Sequence, residues 1–107
     1  MSTSSVRFAF RDRISFVLND CAAKALRNEV DYRDRCSLPK LTEFLGITPA
    51  KMNLELQTLV GHGYVTVQAE TVFPTWKTLI KHQAFQGISL AEGEAIIARL
   101  LHPADRA

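Results

Sequence analysis

The sequence lacks the features that would mark a membrane, fibrous or disulfide-stabilised protein. Only 2 of its 107 residues are Cys, 5 are Gly and 4 are Pro, which excludes disulfide-scaffold, collagen-like and low-complexity chains. The longest run of apolar side chains is four residues, at 95–98, whereas a membrane helix needs roughly 20. Arg7, Arg11 and Arg13 interrupt the apolar residues near the N-terminus, so no signal-peptide core forms. We therefore expect a cytoplasmic protein that does not bind membranes.

Catalytic and metal-binding motifs are also missing from the sequence. There is no Gly-rich phosphate loop, nucleophile elbow or His-Glu-x-x-His string, so we expect neither enzymatic activity nor a cofactor. The imidazole and thiol side chains lack the close spacing of a zinc site, and a metal-sensing protein is the weaker alternative. These side chains belong to His62, His82, His102, Cys21 and Cys36. In a reducing cytoplasm the two cysteines are predicted to be buried, unreactive thiols.

What the chain has is the composition of one globular domain. Apolar residues make up 47% of it, enough for a single core within residues 1–107, with residues 1–5 as a flexible N-terminus. Thirteen basic and 11 acidic residues give a net charge of +2, which neither demands nor excludes a nucleic-acid partner. Residues 6–36 carry 7 of the basic residues interleaved with 5 acids, which predicts a solvated, mildly basic face.

The apolar spacing in the first third predicts a long helix. Residues 10–26 place apolar side chains three and four positions apart, as on one face of a helix. The alternation at residues 6–10 fits either a short strand or the start of that helix. Phe16 lies off the apolar stripe, so we expect it to face a partner. Residues 31–35 are all charged except one and are expected to form a loop.

Two short helices joined by a tight turn are predicted next. Ser37 is a suitable N-cap for the first helix, which stops at Gly46. Thr48 can cap the second helix and Pro49 suits its first position, and the helix ends at residues 61–63. The apolar residues are Leu41, Phe44 and Leu45 in the first helix and Met52, Leu56 and Leu59 in the second.

Beyond residue 63 the pattern changes to β-branched and aromatic residues. Residues 64–67 and 71–73 predict a hairpin with a loop of about three residues. A further helix is predicted over residues 76–87. Ser89 and Glu92 form the capping box of the last helix.

The turn and helix-capping residues within 37–73 point to a known family. Gly46 sits where a turn needs a residue tolerant of positive φ, Ile47 lies behind the turn, and residues 48–49 open the following helix. Together with the hairpin, this segment resembles the winged helix-turn-helix domain of bacterial transcription regulators. The resemblance implies a mainly α (α+β) fold with a two-stranded wing and additional C-terminal helices at 75–107. It also implies a sequence-specific DNA-binding transcriptional regulator.

On this resemblance, the helix that residues 48–49 open is the recognition helix. The face opposite its apolar side would enter the major groove, where Asn and Gln suit adenine and Lys suits guanine. Other residues would hold phosphates. The predicted contacts to double-stranded DNA are Ala50, Lys51, Asn53, Leu54 and Gln57 on this helix, with Thr48, Lys40, Lys77 and Lys81 at the phosphates.

The same face also fits a protein partner. It carries almost no net charge, Leu54 stands where family members often have Arg, and the hairpin tip carries Glu70 instead of a cation. The alternative function is therefore a winged-helix adaptor or anti-activator that makes no DNA contact. Its binding strip would consist of Ala50, Leu54, Thr58 and Gly61.

A homodimer is the expected assembly. The three-helix core and wing need only residues 10–73, which leaves more apolar surface on the later helices than so small a core can cover. Helices added after the wing often pair subunits in this family. The predicted interface contains Phe16, Leu90, Ile97 and Leu101.

Overall fold

The computed structural model describes the backbone of residues 3–102 and the side chains of residues 10–102. The chain is mostly helical, at 66%, with a two-stranded antiparallel sheet, so the expected α+β class is confirmed. The helices are α1 (Thr3–Leu26), α2 (Tyr32–Arg35), α3 (Leu38–Leu45), α4 (Pro49–Gly61), α5 (Trp76–Leu79) and α6 (Leu90–Leu101); the strands are β1 (Val65–Gln68) and β2 (Thr71–Pro74); a 3-10 turn covers Gln83–Phe85. Among the described residues, no helix is long and apolar enough to cross a membrane.

Helix α1 is the longest element and carries much of the core. Its stripe of Ile14, Leu18 and Ala22 is buried against α2, β2, α5 and α6. The helix begins at Thr3, so the alternation at residues 6–10 belongs to a helix, and the strand alternative was wrong. The flexible N-terminus predicted for residues 1–5 lies partly outside the described residues, as does the end of the segment 75–107.

The loop predicted at residues 31–35 was wrong, because one turn of helix forms there. The side chain of Asp31 caps this turn by accepting a hydrogen bond from the Arg33 amide at 3.1 Å. Tyr32 is buried, and its hydroxyl donates to the Val72 carbonyl at 2.7 Å. Its ring stacks on Phe73 with the centroids 5.3 Å apart. Through the buried ring of Tyr32, this otherwise charged segment contributes to the core.

The predicted ends of α3 and α4 are confirmed. The Ser37 hydroxyl accepts from the Lys40 amide at 3.4 Å, and the Thr48 hydroxyl accepts from the Lys51 amide at 3.1 Å. Gly46 ends α3 with φ of 69°, the left-handed conformation that the turn needs. Met52, Leu56 and Leu59 are buried as expected, whereas Phe44 of α3 is exposed.

The hairpin has a shorter turn than the sequence predicted. Strands β1 and β2 pair from Val65 with Pro74 to Gln68 with Thr71, which leaves only Ala69 and Glu70 in the turn. Both have positive φ, at 49° and 63°, as the favoured two-residue hairpin turns require. Because neither residue is Gly or Asn, the sequence carries no signal for this turn.

The segment before α3 is hydrogen-bonded to the other edge of β2. Ser37 forms an antiparallel bridge with Thr71, the Leu38 amide donates to the Glu70 carbonyl at 2.8 Å, and the Val72 amide donates to the Cys36 carbonyl at 3.0 Å. These bonds join the hairpin to the start of α3. As a result, α3, α4 and the hairpin form one unit.

The continuous helix predicted over residues 76–87 was wrong. Helix α5 stops after one turn, and the Thr78 carbonyl accepts from the Asn19 side chain at 2.9 Å and from the Lys81 amide at 3.1 Å. A side chain from α1 thus occupies a carbonyl that a longer helix would use for its own hydrogen bonding. Further on, the His82 side chain caps the 3-10 turn by accepting from the Ala84 amide at 3.0 Å. The capping box of α6 is present as predicted.

Gly93 of α6 packs directly against the ring of Trp76, which reverses the usual effect of replacing a helical glycine. A Cβ atom at Gly93 would lie 2.5 Å from Cδ1 of the Trp76 ring. Although Ala favours a helix over Gly by about 1 kcal/mol, we expect Gly93→Ala to lower the free energy of unfolding by roughly 1–3 kcal/mol through overpacking. Urea denaturation measures the change.

Gly61→Ala is the matched control, because a Cβ atom there meets nothing within 4 Å. It should leave stability unchanged or raise it by up to about 1 kcal/mol. If Gly93→Ala stabilised the protein as much as the control does, the described packing of α6 on Trp76 would be incorrect.

Candidate nucleic-acid interface

Helix α4 presents one face to the core and one to solvent. The helix residues predicted from the sequence to contact DNA lie on the exposed side, and Leu54 at the centre of that side is 65% exposed. The structure therefore brings together on a single surface Ala50, Lys51, Asn53, Leu54 and Gln57.

The polar groups at the start of α4 are already engaged within the chain. The Thr48 hydroxyl caps the helix, and the Lys51 ammonium lies 3.7 Å from the Glu55 carboxylate one turn later. The two charges cancel, so α4 itself contributes no net positive charge. Any attraction for an anionic partner must come from neighbouring elements.

A neighbouring element supplies such a charge along one side of α4. A groove of about 370 Å³ separates α4 from the N-terminal part of α1, and Arg11 lies in it beside Leu54 and Gln57. Arg11 was not among the residues predicted from the sequence to form the site. It lies on α1, far from α4 along the chain, and nothing in its local pattern distinguishes it from the other basic residues of that helix.

Three cations surround the ring of Tyr64, directly after α4. The distances to the ring centroid are 4.5 Å from Lys81 Nζ, 4.8 Å from Lys77 Nζ and 5.8 Å from Arg11 Cζ. Lys77 also donates to the His62 carbonyl at 2.9 Å. The sequence predicted Lys77 and Lys81 as phosphate contacts but missed Tyr64. We call Arg11, Tyr64, Lys77 and Lys81 the cationic cluster.

The cationic cluster has an excess of positive charge. The ion pairs within residues 10–102 join Lys24 to Asp20, Arg27 to Glu29 and Lys51 to Glu55, and none involves a cation of the cluster. Each cation–π contact with Tyr64 contributes about 0.5–1 kcal/mol at such an exposed position. None of these cations has a carboxylate oxygen within 4 Å among residues 10–102. The cluster is therefore suited to bind an anion.

The N-terminal end of α4 has the opposite character. A groove of about 580 Å³ lies between α3 and α4, with apolar walls that include Ile47 and Met52 and with Asn53 at one side. Glu43 and Glu70 are among the residues that line the same groove, and no Lys or Arg is. Hence α4 runs from an acidic apolar groove at its N-terminus to the cationic cluster beyond its C-terminus.

The residues predicted at a dimer interface differ in their exposure. Phe16 and Leu90 are 63% and 55% exposed, whereas Ile97 and Leu101 are half-buried and pack against the core. The Phe16 ring lies 6.5 Å from the His82 ring. The homodimer stays a prediction.

Comparison of the chain with protein families, with curated proteins and with solved structures gives no match. Within the described residues, no group of three or more His, Cys, Asp or Glu side chains is placed to hold a metal ion.

Proposed function

We propose that the protein is a winged-helix domain that binds double-stranded DNA and regulates transcription. The observation that carries this proposal is the cationic cluster, which lies beside the exposed face of α4 and has no carboxylate partner among residues 10–102. Uncompensated cations next to an exposed helix are the electrostatic footprint of a nucleic-acid partner. The attachment of the hairpin to the start of α3 supports the winged-helix assignment.

In this arrangement the two parts of the site have different roles. Arg11, Lys77 and Lys81 hold phosphates and so fix the position of α4 on the duplex. Lys51 and Gln57 then face base edges in the major groove, where Leu54 makes apolar contact with a thymine methyl group. The cluster supplies the affinity, and the helix supplies the sequence preference.

The acidic groove determines which end of α4 lies nearer to the DNA backbone. Glu43 and Glu70 repel phosphates, so the DNA backbone lies closer to the C-terminal end of α4 than to the hairpin tip. Consequently Lys40 and Thr48, which lie near the acidic end, contribute less than the sequence predicts. Lys77 and Lys81 contribute more.

Removing the cluster's lysines tests the DNA proposal. We expect Lys77→Ala/Lys81→Ala to weaken binding to a mixed-sequence duplex and to reduce the slope of log K against log[salt] by about 1.8, or about 0.9 for each phosphate that is no longer neutralised. Fluorescence anisotropy at several salt concentrations measures both quantities.

The control is Lys24→Ala/Arg27→Ala, which removes the same charge from the last turn of α1 and from the residue that follows the helix. It should leave the slope nearly unchanged. Equal effects of the two double variants would show that only net charge matters and that the cluster is not the phosphate site. Failure of the wild-type protein to bind any duplex would contradict the DNA proposal itself.

The second candidate function is a protein-interaction module. The exposed Leu54 and the apolar groove with Glu43 and Glu70 favour it, because a partner with an apolar side chain beside Lys or Arg would complement this end of α4. The same α4 surface would then pack against protein instead of entering a groove of DNA.

Truncation at Leu54 separates the two candidates. If α4 reads DNA, Leu54→Ala should reduce duplex affinity only modestly, whereas Lys51→Ala and Asn53→Ala should each cost about 1–3 kcal/mol where they make good contacts. If α4 packs against protein, burial of Leu54 supplies roughly 1.5–3 kcal/mol and its truncation has the largest effect. Titrations of each variant with duplex DNA and with any co-purified partner give the ranking. No effect at all three positions would exclude this surface.

We further propose that the regulator is a homodimer whose contacts include Phe16 and Leu90. Both side chains are exposed, so Phe16→Ser and Leu90→Ser should leave the fold intact and shift the molar mass measured by light scattering from dimer to monomer. Ile97→Ser is the contrast, because a change in this half-buried residue should lower stability as well. A wild-type monomer would contradict the dimer.

A further inference from the structure

A cavity of about 670 Å³ lies where helices α1 and α6 end. Its walls come from residues 25–32, which include the last turn of α1 and the start of α2, and from residues 98–102 at the end of α6. Binding sites for small molecules have volumes of roughly 300–1,000 Å³, so this cavity has the size of such a site. None of its lining residues belongs to the exposed face of α4 or to the cationic cluster. We call it the α1–α6 cavity.

Hydrogen bonds hold the walls of the α1–α6 cavity together. The Arg33 side chain donates to the Leu101 carbonyl at 2.8 Å, which joins α2 to the end of α6. Asn28 has a positive φ of 61° and its amide donates to the Ala25 carbonyl at 2.9 Å, so the chain turns sharply after α1. Because three elements are fixed relative to one another, a ligand would pay little to order the cavity.

One part of the lining is apolar. Tyr32 and Leu100 are buried, and Leu26 is half-buried. The Tyr32 hydroxyl already donates to the Val72 carbonyl at 2.7 Å, so its proton is not available to a ligand. These three residues are suited to contact a hydrocarbon or aromatic group.

The other part of the lining carries opposite charges on separate elements. Asp31 precedes α2, and Arg99 lies in the last turn of α6. Within residues 10–102 neither forms an ion pair, so their charged atoms lie more than 4 Å from each other. The Arg33 amide donates to one oxygen of Asp31 at 3.1 Å, which leaves the second oxygen for a ligand. A further carboxylate in the lining, that of Glu29, is paired with Arg27 at 2.7 Å.

We propose that the α1–α6 cavity binds a free α-amino acid with an apolar side chain. The Asp31 carboxylate accepts hydrogen bonds from the ammonium group, and the Arg99 guanidinium donates to the carboxylate of the ligand. Each of these charge-assisted hydrogen bonds spans about 2.8 Å, which agrees with a gap of more than 4 Å between the two protein charges. The side chain of the amino acid packs against Leu26, Tyr32 and Leu100.

The first test compares ligands that differ by one charged group. Isothermal titration calorimetry of the full chain, without DNA, should show one saturable site for L-phenylalanine or L-leucine. Phenethylamine lacks the carboxylate and 3-phenylpropionate lacks the ammonium group, so each should bind at least about tenfold more weakly than L-phenylalanine. The proposal is overturned if neither amino acid binds at about 10 mM, or if either analogue binds as tightly as L-phenylalanine.

The second test removes the protein charges one at a time. Asp31→Asn and Arg99→Gln should each weaken the binding of L-phenylalanine at least about tenfold. Asn is as good an N-cap as Asp, so α2 should stay intact in Asp31→Asn, and circular dichroism checks this.

Matched controls are available on α2. Asp34→Asn and Arg35→Gln make the same chemical changes at exposed residues that do not line the cavity, and they should leave the affinity unchanged. If the controls weakened binding as much as Asp31→Asn and Arg99→Gln do, the assigned contacts would be wrong. The titrations contain no duplex, so a negative result here leaves the DNA proposal unaffected.

Discussion

The structure depends on the burial of strand β2. All four of its residues are buried, whereas β1 is exposed beyond its first residue. One edge of β2 pairs with β1, and the other edge is hydrogen-bonded to residues 36–38. Helices α1, α5 and α6 pack against the strand. Phe73 lies at the centre and has no exposed surface. Because the first and last helices both contact this strand, the chain forms one core instead of a separate wing.

This constraint also explains where the candidate surface on α4 lies. With its apolar side committed to the core through Met52, Leu56 and Leu59, α4 can offer a partner only its opposite side, which is neutral. The charge that selects the partner must come from elements at the two ends of α4. The charges near the two ends of α4 differ in sign, with Glu43 and Glu70 near the N-terminus and the cationic cluster beyond the C-terminus. A polyanion and a cationic protein segment would therefore bind at different ends.

The features that the sequence predicted correctly are those determined within a few residues. The hydroxyls of Ser37 and Thr48 bond amides three positions away, so the ends of α3 and α4 can be predicted locally. Two misses, the end of α5 and the position of Arg11, follow from distant contacts, whereas the hairpin turn was missed because Ala69 and Glu70 carry no turn signal. Asn19 bonds a carbonyl 59 positions away and helps to end α5, and Arg11 joins Tyr64 across 53 positions. The sequence thus predicted the α4 surface and both lysines of the cluster, but could not show that Arg11 completes the cluster.

Hydrogen bonds between neutral groups hold the backbone that carries the lysines of the cationic cluster. The Thr78 hydroxyl donates to the Tyr64 carbonyl at 2.6 Å, and the Thr75 amide donates to the same carbonyl at 3.1 Å. Thr78 is itself buried, so α5 is fixed relative to the backbone of Tyr64 before any partner arrives. Since Lys77 directly precedes Thr78 and Lys81 follows it by three residues, the Cα positions of both lysines are fixed as well. Ordering these two lysines around a phosphate would then cost less conformational entropy than ordering two lysines on a mobile loop.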